Sequence, residues 1–186
     1  DEDTEEEKEL PMLRYYNVFH IDQCEGLKAR YAQELPATVN ADAAAEKVIA
    51  DYIRRSGVKL EHIEGDRAYY RPTADSITLP LMKQFSQTAE YYSTAFHELT
   101  HSTGHKSRLN RLDRTAFFGT EAYSKEELVA EIGAATLINF CGLETPASFR
   151  NNAAYIQSWL QVLKNDKRFI VIAAGKAEKA VNLILG

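Results

Sequence analysis

His97-Glu98-Leu99-Thr100-His101 is the stretch of this chain whose residue types and spacing could do chemistry. If the segment is helical, two imidazoles four residues apart share one face and can reach one ion together. Zinc accepts imidazole nitrogen readily, and a catalytic zinc site takes three protein ligands and keeps one position for water. Glu98 sits one residue round the helix, beside a metal-bound water but not on the metal. A carboxylate there suits a general base, taking a proton as the water attacks a peptide carbonyl. The expected cofactor is Zn2+, the expected ligands include His97 and His101, and the expected catalytic residue is Glu98. A chance match to this five-residue pattern is on the order of 1% for a chain of this composition. The neighbouring Tyr92, Phe96 and Leu99 also set the histidines beside an apolar stripe rather than on a random solvated face.

The third ligand must come from elsewhere. The metzincin pattern HExxHxxGxxH is half present: Gly104 falls where its glycine belongs, but Ser107 stands where its third histidine would be, and His105 comes two residues early. That pattern is rejected. The run Glu126-Glu127-Leu128-Val129-Ala130-Glu131 begins 25 residues after His101 and is the better source. Glutamate zincins place a ligand glutamate on a second helix, with an acid four residues on that orients a ligand histidine. Glu127 and Glu131 share one helical face and fit those two places. Ser124-x-x-Glu127 is also a capping box, in which Glu127 would satisfy an N-terminal amide and Glu131 would become the ligand; Glu126 is the remaining alternative. His105 and Tyr123 are candidate substrate or oxyanion contacts. Tyr69, Tyr70, Arg108, Arg111 and Arg114 compete for the same role with plain packing or a solvated loop. His20 and His62 are most simply surface or satisfied strand residues.

The elements that must position these groups are legible in outline. Residues 1–9 (DEDTEEEKE) read as a solvated acidic tail, and Met12 to Ile21 as a strand. Ala45, Val48, Ile49, Tyr52 and Ile53 recur at helical spacing between Ala41 and Arg55, and Gly57 stops that helix. Three short strands follow, Lys59–Ile63, Arg67–Arg71 and Ser76–Leu79, with Gly65-Asp66 turning between the first two; they read as a small antiparallel meander. Ser86 is expected to cap the metal helix, whose inward stripe is Ala89, Tyr92, Phe96, Leu99 and Thr103, ending near Gly104. Further helices are expected from about Lys125 to Phe140, from Thr145-Pro146 to about Lys164, and from about Lys167 to Leu185. The fold class is α+β, with a small twisted antiparallel or mixed sheet and about five helices.

The bulk numbers narrow the setting. The chain has 186 residues, 45% of them hydrophobic, enough for one packed domain, and a net charge of −5 that gives no general attraction to nucleic acid. Cys24 and Cys141 form no metal-spaced pair, which suits a reducing, cytoplasmic setting. No apolar run reaches the roughly 18 residues of a membrane span, so no membrane partner is expected. The chain opens on Asp1 rather than Met, as a fragment or a processed piece would.

Taken in order, several stretches resemble the zincin-like metallopeptidase domain of ArdC-type antirestriction proteins. They are Arg14 to Phe19 with Asp22-Gln23 and Gly26-Leu27, Tyr70 to Pro80, Tyr91-Tyr92 through His101, Thr103-Gly104-His105 with Arg108-Leu109, and Tyr123 with Glu126 to Ala134. The resemblance covers roughly residues 12 to 142. It implies a zincin-like fold over residues 27–186, with 1–26 as an acidic tail and the junction to a missing N-terminal domain that binds single-stranded DNA. It also implies protection of incoming mobile DNA against host restriction, with a protein or peptide substrate, a host restriction component among the candidates. Asp75 to Pro80 lies where zincins keep the edge strand that pairs with substrate backbone. The alternative is a non-catalytic antirestriction or single-stranded-DNA-binding fragment whose metal site is structural or a relic.

Overall fold

A computed structural model describes residues 41–112, 121–143 and 168–186, with the side chains of residues 41, 42 and 121–123 left aside. The chain divides into two compact units, Asp1–Thr38 and Val39–Gly186, and every described residue belongs to the second. The Met12–Ile21 strand, the junction segment and the helix expected from Thr145 to Lys164 lie outside the described residues.

Helix α1 (Ala41–Ser56) buries Ala45, Ile49 and Tyr52 and stops at Gly57, whose φ of +72° is open to glycine without strain. Strands β1 (Lys59–Ile63), β2 (Tyr69–Arg71) and β3 (Ser76–Pro80) follow. All five residues of β3 are buried, whereas β1 is largely exposed and β2 half-buried. A fully buried strand must pair its backbone groups on both sides. β3 accordingly lies in the middle, parallel to β1 (Leu60 opposite Ile77) and antiparallel to β2 (Tyr70 opposite Ile77). The sheet is therefore mixed rather than a meander. β1 and β2 form a wide hairpin with one strand slotted between them, a gap of about 9.5 Å that the five-residue link 64–68 spans easily. The substrate-pairing edge expected at Asp75–Pro80 must be corrected for the same reason: β3 is paired on both sides, whereas among the described residues β2 is paired on one side alone.

Helix α2 (Thr88–Thr103) carries the His-Glu pattern and is the hub, packing on α1, β2, β3 and both later helices, α3 (Glu121–Phe140) and α4 (Arg168–Leu185). Its N-cap is Gln87, one residue later than expected, because the Ser86 hydroxyl donates to the Glu90 carboxylate (2.7 Å). At the other end Gly104 has an ordinary helical φ of −76°. Space is what demands glycine there, since a Cβ would stand 2.8 Å from Leu112 Cγ.

α2 and α3 meet at Gly133, where an added Cβ would lie 2.7 Å from both Cγ2 and Oγ1 of Thr100. Thr100 is fully buried, β-branched and tied to the Phe96 carbonyl (2.8 Å), so it cannot turn away. Glycine inside a helix ordinarily costs about 1 kcal/mol relative to alanine. Here the clash decides the sign: Gly133→Ala is expected to lower stability by about 1–3 kcal/mol in urea unfolding, not to raise it.

Candidate metal centre

His97 and His101 lie one turn apart on α2, with ring centroids 4.7 Å apart and planes at 79°. Their Nε2 atoms converge to 3.0 Å. From α3, Glu127 brings one carboxylate oxygen to 3.3 Å from His101 Nε2 and the other to 3.6 Å from His97 Nε2. One donor atom from each of these three residues falls within 4.8 Å of the other two. A tetrahedral ion with bonds of about 2.0–2.1 Å holds its donors about 3.3 Å apart. The donor chemistry and the spacing therefore fit a divalent metal ion.

The outward nitrogens are held just as firmly. His97 Nδ1 meets Glu131 at 3.1 Å, and His101 Nδ1 meets Glu126 at 3.3 Å. A carboxylate can only accept, so each Nδ1 carries the proton and each Nε2 is turned inward. Glu126 in turn accepts from Arg111 Nε (2.9 Å) and Nη2 (2.8 Å), while Arg111 Nη1 donates to Thr103 (2.6 Å). Glu126, weighed only as a remote alternative ligand, is the group that holds His101. Its clue in the sequence was adjacency: neighbouring glutamates on a helix point about 100° apart and can address two sides of one site. The capping-box alternative for Glu127 does not hold, because α3 begins at Glu121 and Ser124 lies inside the helix.

Glu98 is buried between the histidines and the sheet, and burial raises its pKa from the ordinary carboxylate value. The Tyr70 backbone amide hydrogen-bonds to its carboxylate and offsets part of that rise. Burial opposes charge on His97, yet Glu127 and Glu131 outweigh it and push the imidazole up to about 10. The same contacts hold Glu127 well below the usual carboxylate range against the cost of its own burial.

These groups open on a cleft of about 640 Å³. Ala68, Tyr69, Tyr70 and Pro72 line it from β2 and its flanks, Leu112 from the loop after α2, and Val129 from α3. The other expected residues fall elsewhere. His105 is not among the lining residues; its Nδ1 meets Ser107 Oγ at 2.7 Å in the turn after α2. Arg108 is occupied by Asp75 and by the Ser102 carbonyl (2.8 Å). The Tyr70 hydroxyl donates to Asp75 (2.7 Å), which leaves its main chain facing Glu98. His62 is a satisfied strand residue on the Tyr91 hydroxyl (2.8 Å). The Tyr123 side chain, Arg114 and His20 lie outside the described residues.

The sequence model of the zincin-like metallopeptidase family matches residues 43–176. The chain belongs to that family. Among solved structures, this zincin-like chain is similar to the antirestriction protein ArdC of plasmid R388. The Mn(II)-bound crystal structure matches at a TM-score of 0.67 and 41% identity over 97% of this chain and 64% of ArdC. The metal-free one matches at 0.65 and 42%, over 96% and 62%. The likeness to ArdC read from the ordered motifs is thus borne out. The chain is also 40% identical, over 95% of its length, to a DNA primase TraC of Escherichia coli, of which it spans only 12%.

Two outcomes follow for metal binding. Glu126→Gln should weaken divalent-metal affinity about 10- to 100-fold in calorimetric titration although Glu126 is not placed as a ligand. Because His97 is protonated below about pH 10 without metal, and the 3.0 Å gap between the Nε2 atoms admits one proton, binding should release about one proton. Affinity should then fall about tenfold for each unit of pH lowered between 8 and 6.

Proposed function

We propose that this chain is the metallopeptidase domain of an antirestriction-type protein, hydrolysing a peptide bond at a zinc ion held by His97, His101 and Glu127. The observation that carries this reading is the convergence of two Nε2 atoms and one carboxylate beside the buried Glu98, on an open cleft. When bound, the ion would polarise the scissile carbonyl and acidify water. Glu98 serves as general base: it touches none of the three donors as a fourth ligand, it lines the cleft, and its raised pKa moves it toward the range in which a carboxylate can take and return a proton. Glu131 and Glu126 keep the imidazoles facing inward. The outer edge of β2, unpaired among the described residues and carrying the Tyr70 amide that points to Glu98, offers main-chain groups to an extended peptide.

Zinc is favoured for the donor set because two imidazoles and a carboxylate bind it more tightly than manganese, the ion in the R388 ArdC crystal structure. The substrate is a protein or peptide, with a host restriction component as the first candidate. Single-stranded DNA would be engaged only by an N-terminal domain joined through residues 1–26. No described helix is long and apolar enough to cross a membrane, and a cytoplasmic setting is the proposal that goes with it. A second reading keeps the metal as a structural or relic site. A structural zinc typically has four protein ligands and closed coordination, and a site with three donors among the described residues, on an open cleft, weighs against it.

Glu98→Gln separates the two. It should leave metal affinity nearly unchanged and slow cleavage about 100- to 10,000-fold, whereas Glu127→Gln should weaken the metal itself. A peptide library or a co-expressed restriction enzyme supplies the substrate. Unchanged cleavage by the Glu98→Gln chain overturns the mechanism, and a parent chain that protects DNA yet cleaves nothing favours the relic.

A further inference from the structure

We infer that Arg111 is a positioning residue that keeps Glu126 out of the metal's coordination shell, so that Glu127 alone supplies the carboxylate and one position stays open; this rests on the ligand set proposed above and not on hydrolysis. Glu126 and Glu127 are the same chemical ligand, side by side on α3. Each touches His101, one at either ring nitrogen: Glu126 Oε1 lies 3.3 Å from Nδ1, and Glu127 Oε1 lies 3.3 Å from Nε2. Burial does not separate them, since both side chains are 14% exposed. Arg111 does. Its Nε and Nη2 fork onto the two oxygens of Glu126, at 2.9 and 2.8 Å. Glu126 would have to give up two charge-assisted bonds to turn inward.

Arg111 cannot follow it. Nη1 donates to Thr103 Oγ1 (2.6 Å), and Nη2 donates also to the Thr100 carbonyl, one of the last four of α2, which a helix leaves without a partner of its own. The Arg111 amide donates to the Gly104 carbonyl (3.1 Å), as does that of Leu112 (3.2 Å), so the loop folds back on the end of α2. Gly104 permits this approach, because an added Cβ would stand 3.2 Å from Arg111 Cγ. The guanidinium is built into the fold, with its side chain 7% exposed.

Charge decides what the fork protects. Two neutral imidazoles and one carboxylate leave a divalent ion with net positive charge, which attracts an oxygen ligand and acidifies water. A second carboxylate would cancel that charge and occupy the open place. Glu126 released from its fork stands one imidazole's width from doing so.

The test loads the full chain with Co(II), reads the visible absorption of the ion, and titrates it with imidazole, a neutral probe of the open position. Arg111→Gln should change the spectrum before imidazole is added and should weaken imidazole about 10-fold. Made in a Glu126→Gln chain at saturating Co(II), the same change at Arg111 should alter neither reading, because no carboxylate remains there to turn inward. A role for Arg111 confined to capping α2 would make the two backgrounds respond alike, and that result overturns the assignment. So would an Arg111→Gln chain that binds imidazole as tightly as the parent. Should Arg111→Gln fail to fold, as judged by circular dichroism, Arg111→Lys takes its place with the same expected changes, since an ammonium keeps the charge but cannot fork. A parent chain that binds no Co(II) sinks the ligand set, and the role of Arg111 with it.

Discussion

The close approach of α2 and α3 at Thr100 and Gly133 is the constraint on which the rest depends. Only a helix that comes this near can lay Glu126, Glu127 and Glu131 against the imidazoles of His97 and His101. Buried charges are tolerable only when paired, and removing one partner leaves the other uncompensated at a cost of several kcal/mol. Docking α3 and assembling the site are therefore the same event. The small cluster of Leu128, Val129, Phe169, Ala173 and Ala177 backs α3 from the other side and presses its carboxylates toward α2.

A second clamp fixes the sheet to the same helix. Arg108 reaches from the turn after α2 to Asp75, which also accepts from Tyr70, while its Nε caps the Ser102 carbonyl near the end of α2. Asp75 adopts a φ of +47°, a left-handed conformation that costs a non-glycine residue roughly 1–2 kcal/mol. The charged contacts with Arg108 and Tyr70 offset that cost. What the clamp secures is the distance from the outer edge of β2 to Glu98, the two things an extended peptide would have to meet at once.

Much of this was written plainly in the sequence. The four-residue spacing of the histidines, the apolar stripes of α1 and α2, and the stops at Gly57 and Gly104 are local patterns, and local patterns survive into the fold. Strand order was not legible in the same way. The pattern of Ser76–Pro80 says that the strand is buried, but which neighbours bury it depends on pairing across the chain. The parts of Glu126 and Arg111 were hidden for a related reason. Their meaning comes from a partner fifteen residues away, and adjacent glutamates look alike until the helix phase is known. Arg108 resembled a ligand-binding residue because a charged loop residue gives no sign of whether its partner is substrate or Asp75.

The mutual satisfaction of imidazole and carboxylate has a consequence for the life of the protein. Small zinc domains that rely on the ion to hold them together fall apart when it is withdrawn. Here Glu131 and Glu126 hold the outward nitrogens of the two imidazoles, on helices anchored by their own apolar cores. Such a chain is expected to part with its ion and keep its shape. Under metal starvation it would persist as a dormant, reloadable store, awaiting supply without entering the unfolded population that degradation removes.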